Sequence, residues 1–134
     1  MDRKTESYVD TSALIAFTDR SDSYHLSYLR LFAEPPALVT SSLVIAEGHG
    51  WFLRRFDQRK AIQFLAMIQG LTPLTIVPFG SEELMKVSAL LNKFSDHAIT
   101  LADLHGLVLM QERRIKDCWS TDRHLGLTGA RLVM

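Results

Sequence analysis

Tyr8-Val9-Asp10-Thr11-Ser12-Ala13-Leu14 reads as the end of a short apolar strand, a polar turn and the first turn of a helix. Glu6 to Val9 supply the strand, with Tyr8 and Val9 entering the core, and the helix continues through Ile15 and Phe17. The same strand-then-helix pattern recurs downstream. Ser21 is read as opening a second helix with Tyr24, Tyr28, Leu29 and Phe32 at helical spacing, ended by Pro35-Pro36. Ala37 to Thr40 is the next strand, and Ser41 or Ser42 caps a third helix through Leu43, Val44, Trp51 and Phe52. Asp57 begins a fourth helix, closed by Gly70, and Leu74 to Val77 is a strand set between prolines. Gly80-Ser81-Glu82-Glu83 opens a fifth helix. Thr100 caps a strongly apolar one from Leu101 to about Ile115, followed by strands at Cys118 to Thr121 and Arg131 to Val133. Alternation of this kind predicts an α/β fold: a three-layer α/β/α sandwich around a mainly parallel sheet.

The 134 residues fit one domain, 1–134, large enough to bury a core unaided. With 47% hydrophobic and 22% charged residues, four prolines and seven glycines, the chain is neither disordered nor low-complexity. A lone Cys118 allows no internal disulfide and no thiolate metal cage. The polar start MDRKTES and the interrupted apolar runs predict no signal peptide and no membrane anchor, hence a cytoplasmic protein. Fifteen Lys+Arg balance fifteen Asp+Glu, which at first argues against a phosphate-bearing partner.

Four carboxylates stand out. In parallel α/β folds the working edge lies at the carboxyl ends of the strands, and Asp10 and Asp122 each follow a strand there. Glu47 sits within the apolar stripe Leu43, Val44, Gly50 and Trp51 of the third helix. Asp103 shares a face with Leu107 and Met110 on the most apolar helix. Each has a plain alternative: helix caps for Asp10 and Asp122, a capping box for Thr100 with Asp103, a buried ion pair with arginine for Glu47. An ionised carboxylate buried alone costs several kcal/mol, so all four converging is the arrangement that a hard divalent cation requires.

The segments Tyr8 to Leu14, Thr40 to Glu47, Leu101-Ala102-Asp103 and Ser120-Thr121-Asp122-Arg123-His124 resemble, in order, the four acidic motifs of PIN-domain ribonucleases. The resemblance spans almost the whole chain and is strongest to the VapC-type toxins of toxin-antitoxin pairs. It implies a PIN-like fold and an acidic centre of Asp10, Glu47, Asp103 and Asp122, with Ser12 and Ser120 as supporting hydroxyls. Two positions depart from the pattern: Leu104 stands where many relatives carry Ala, and Leu125 where Phe is common. Further implied are an RNA substrate, a VapB-type antitoxin that occupies the acidic groove, and a homodimer. The alternatives are a non-catalytic interaction module and an RNA-processing nuclease without an antitoxin.

All-oxygen ligation favours Mg²⁺ or Mn²⁺ over zinc. The expected chemistry is metal-assisted phosphodiester hydrolysis, with Asp10, Asp103 and Asp122 holding the metal and Glu47 holding it or orienting the attacking water. The five histidines form no HExxH-type pair; Arg123 and His124, beside Asp122, are candidates for touching phosphate. Arg54 and Arg55, clustered with Arg59 and Lys60, are candidates for the RNA backbone, as are Arg113, Arg114 and Lys116; for both runs a solvated helix end is the plainer reading. Trp51, Phe52 and Phe56 are assigned to the core, with a partner surface as the alternative. If the four central acids hold metal, eleven acids remain against fifteen basic residues. The neutral composition then no longer opposes a nucleic-acid partner.

Overall fold

The computed structural model describes residues 5–134, in which the expected sandwich is present. Strand β1 (Glu6–Val9) leads into helix α1 (Thr11–Thr18), followed by α2 (His25–Ala33), β2 (Ala37–Ser41), α3 (Ser42–Arg55) and α4 (Gln58–Gly70). After β3 (Leu74–Val77) come α5 (Ser81–Lys93), α6 (Leu101–Glu112), β4 (Asp117–Trp119), a 3₁₀ turn at Arg123–Gly126 and β5 (Arg131–Val133). The strands order as β3-β2-β1-β4-β5, and all pair in parallel.

Side-chain alternation divides the sheet between two cores. Val9, Leu38 and Trp119 pack with residues of α1 to α4 on one face. Their neighbours Tyr8, Val39 and Cys118 pack on the other face with Leu107 and Met110 of α6 and with Phe94. The chain builds outward from β1 through β2 to β3, then returns through α5 and α6 to lay β4 on the opposite side of β1. The switch point therefore falls between β1 and β4, which is where parallel α/β sheets open a crevice.

Three boundaries and one helix face differ notably from the sequence expectation, each for a local reason. Helix α2 starts at His25 rather than Ser21, because the Asp19 carboxylate accepts from the N–H and hydroxyl of Ser21, and Asp22 accepts from the Tyr24 N–H. These side chains hold turns in place of a first helical turn. Helix α6 ends at Glu112 rather than near Ile115, since Arg114 takes a positive φ of 55° and Ile115 N–H bonds back to Met110 at 2.9 Å. Strand β4 stops at Trp119 rather than Thr121, because the next backbone donors go to hydroxyls: Thr121 N–H to Ser12 Oγ and Asp122 N–H to Ser120 Oγ. Of the expected stripe Leu43, Val44, Glu47, Gly50 and Trp51, Val44 is buried and the others are half-buried; the buried line of α3 runs through Val44, Gly48 and Phe52.

At Gly48 helix α3 lies close against α4, where a Cβ would lie 2.4 Å from the Phe64 ring. Phe64 is fully buried and has no room to retreat. Gly48→Ala is expected to cost about 1–2 kcal/mol, overpacking outweighing the gain in helix propensity, and to lower the melting temperature by several degrees. A melting curve at or above the parent's would show that α4 yields. Leu104 and Leu125, the two departures from the family pattern, are both buried and serve packing. Among the described residues no helix is long and apolar enough to cross a membrane.

Candidate active site

At the carboxyl edge of β1 the backbone N–H of Asp10 still bonds to Trp119 O of β4 at 3.0 Å, locking the two strand ends together. The Asp10 side chain does not cap α1. Its Oδ2 accepts instead from Ser12 Oγ at 3.0 Å and Ser120 Oγ at 2.9 Å, the two hydroxyls lying 3.2 Å apart. Ser12 and Ser120 thus hold one acid while their oxygens organise the backbone after β4. Burial raises the Asp10 pKa, and the charge of Asp122 adds to that; the hydrogen bonds from Ser120, the Thr11 backbone and Ser12 pull the other way.

Asp103 enters from α6, whose first turn is capped by Thr100 Oγ1 accepting the Asp103 N–H at 3.2 Å. The first half of the expected capping box is present, while the Asp103 carboxylate lines the pocket. Burial, then the charges of Asp10, Asp122 and Glu47, push it up to about 7, against a small opposing effect of the Thr100 hydroxyl. Asp122 caps the 3₁₀ turn through the His124 N–H and also faces His124 Nδ1, both at 3.0 Å. Its cap reading therefore holds without removing it from the site.

Glu47 reaches the same place from α3 and accepts from the Thr11 hydroxyl. The expected alternative, an arginine ion pair, is not formed: among the described residues, no lysine or arginine makes an ion pair with any of the four acids. All four line one open pocket of about 260 Å³ together with Thr11, Ser12, Ile15, Trp51, Arg54 and Thr100. Among the described lining residues, Arg54 alone opposes its negative charge.

Ligand atoms of Asp103, Asp122 and His124 all lie within 4.8 Å of one another, close enough to share a cation. Asp10 borders the same group through its hydroxyl clamp and its charge on Asp103. The donor set therefore fits a divalent ion, supplying carboxylate oxygens and one imidazole nitrogen. His124 was expected only to touch phosphate; its position beside Asp122 was readable, its reach towards Asp103 was not. Thr11 was missed as the partner of Glu47, although it occupies the first turn after Asp10. Trp51 packs against the core as expected but is only half-buried and also lines the pocket; Phe52 is buried and Phe56 is 44% exposed. Arg54 lines the pocket, Arg55 and Arg123 are exposed, and Arg113 is spent on Glu6 at 2.9 Å.

Family comparison agrees with this geometry. The PIN-domain profile matches residues 7–128. Among solved structures, VapC20 of Mycobacterium tuberculosis, described as a sarcin-ricin loop cleaving toxin, superposes with a TM-score of 0.84 at 21% identity, covering 93% of this chain and 96% of that one. A chain of a toxin-antitoxin complex from Klebsiella pneumoniae gives 0.64 at 17% identity, covering 96% of each. VapBC2 from Rickettsia felis, bound to a DNA fragment from its promoter, gives 0.64 at 13% identity, covering 96% of this chain and 97% of that one. No curated protein matches the sequence significantly.

Proposed function

We propose, from the premise that this chain belongs to the PIN-domain family, that it is a metal-dependent endoribonuclease and the toxin of a toxin-antitoxin pair. The whole of 1–134 then serves as a single cytoplasmic nuclease domain. The observation that carries the reading is the charge state of the pocket: among the described residues no lysine or arginine forms an ion pair with the four carboxylates that line it, and Asp103 is lifted to about 7 by burial and by its acidic neighbours. Such a pocket is unfavourable empty and favourable around a divalent cation.

Asp10, Glu47, Asp103 and Asp122 would hold Mg²⁺ or Mn²⁺, with His124 within reach of Asp103 and Asp122. When bound, such an ion makes a coordinated water easier to deprotonate and offsets charge gathering on the phosphate. Ser12 and Ser120 keep Asp10 aimed by donating to its Oδ2. Glu47, fixed by Thr11, orients the attacking water and accepts its proton. Arg54, Arg55 and Arg123 attract the phosphodiester backbone at the rim.

Two of the similar structures are toxin-antitoxin complexes, which supports a VapB-type antitoxin as partner. Leu53, Phe56 and Ile62, exposed apolar residues of α3, its end and α4, support contact with that partner or a second copy in a homodimer. Purified protein is expected to cut structured RNA with Mg²⁺ or Mn²⁺ and to stop when a chelator is added. Cleavage undiminished by chelation overturns the metal assignment. Absence of cleavage on any RNA, with metal demonstrably bound, favours the interaction module instead.

A further inference from the structure

Residues Glu47, Gly50, Trp51 and Arg54 are spaced three and four apart on α3 and form one stripe, from which Glu47, Trp51 and Arg54 line the acidic pocket. Gly50 lies between them, where a Cβ would come 3.0 Å from Arg54 Nη1. The guanidinium therefore folds back along the helix over the missing side chain of Gly50. Trp51 is held edge-on against Phe52 at 4.9 Å between ring centroids and against Phe56 at 6.0 Å. An aromatic ring fixed this way loses little freedom on binding a second ring.

We propose that Gly50, Trp51 and Arg54 form a nucleotide subsite beside the acidic centre, with a base stacked on the Trp51 indole and its phosphate on the Arg54 guanidinium. The inference rests on the nuclease reading for its substrate class, and adds where the nucleotide next to the cut sits. Indole and guanidinium both offer flat surfaces that accept any base or phosphate, so the subsite grips single-stranded chain rather than selecting a sequence. A peptide carboxylate also pairs with a guanidinium, but only a nucleic acid alternates flat bases and phosphates along one strand to meet an indole and a cation side by side.

Tryptophan emission tests this on the full chain. The sequence has two tryptophans, and Trp119 is only 4% exposed, so quenching by a nucleic acid reports Trp51. A short single-stranded oligoadenylate is expected to quench the emission, and an abasic oligomer of equal length to quench far less. Trp51→Ala should weaken oligoadenylate binding about ten-fold, with Trp51→Phe recovering most of it. Gly50→Ala should keep or raise the melting temperature while flattening the salt dependence of binding, as Arg54→Ala does. Absent quenching, equal quenching by both oligomers, or unchanged affinity in Trp51→Ala overturns the subsite. An emission change only with a protein partner does the same and assigns Trp51 to that partner. RNA cleavage with Mn²⁺ is followed on the same preparation. Cleavage without base-dependent quenching removes the subsite alone; base-dependent quenching without cleavage keeps the subsite and removes the nuclease reading.

Discussion

Asp103→Asn is expected to cut RNA slower by about two to three orders of magnitude or more, yet to melt higher than the parent at pH 8 without divalent ions. Both effects come from one charge. The carboxylate of Asp103 titrates near 7 because burial and then Asp10, Asp122 and Glu47 oppose its ionisation. Its pKa in the folded protein lies above that in the unfolded chain, so the folded form holds the proton more tightly. Stability is therefore greatest below the ordinary carboxylate range and is lost as pH rises through about 7. Asparagine keeps the shape and never ionises. The gain at pH 8 should be about 1–2 kcal/mol, allowing for water in the open pocket, or a few degrees in melting temperature. At pH 5 the gap should be smaller, because the folded carboxyl is then protonated while the unfolded one is still mostly ionised, and it should close only below about 4. A variant that melts lower at both values, or one that cleaves at the parental rate, contradicts this account of the pocket.

The second large effect is the reverse of the first. A divalent cation should raise the parent's melting temperature much more at pH 8 than at pH 5.5, because below about 7 it must displace the Asp103 proton. With one proton in competition, apparent Mn²⁺ affinity should fall about ten-fold per pH unit on the acid side of that value. Calorimetric titration of Mn²⁺ at several pH values measures the slope directly. A flat profile would mean that the ion avoids Asp103, leaving Asp10, Glu47 and Asp122 to account for binding.

Most of the architecture was readable from strand and helix signals alone, and the four acids were singled out by where those elements end. Asp10 and Asp122 follow strands, a local property. Glu47 and Asp103 were flagged by carboxylates appearing on apolar helix faces, a weaker signal; for Glu47 the face itself was misplaced, since the buried one runs through Val44, Gly48 and Phe52. Gly48 hides that shift, because a residue without a side chain gives no hydropathy cue while allowing the closest contact with Phe64. Strand β4 looked longer than it is because Ser120 and Thr121 suit a strand, while the Thr121 donor is taken by the distant Ser12 hydroxyl and the Asp122 donor by the nearby Ser120 hydroxyl. The reach of His124 to Asp103 and the clamp of Thr11 on Glu47 depend on approach between α6, α3 and the strand ends. No local pattern encodes such distances.

The hydroxyl node joining Ser12, Asp10 and Ser120 spans a separation of 108 to 110 residues, although β1 and β4 are neighbours in the sheet. During synthesis the first acid emerges early and waits, with its strand partner on one side still unmade. Loop closure over that length makes β4 pairing a late event in folding. The nascent chain can thus build α1 to α4 against β1 and β2 without any working centre. Under the proposed nuclease reading, the acidic centre is complete only once Asp122 has been added and β4 has docked, so the order of assembly sets when cleavage could begin.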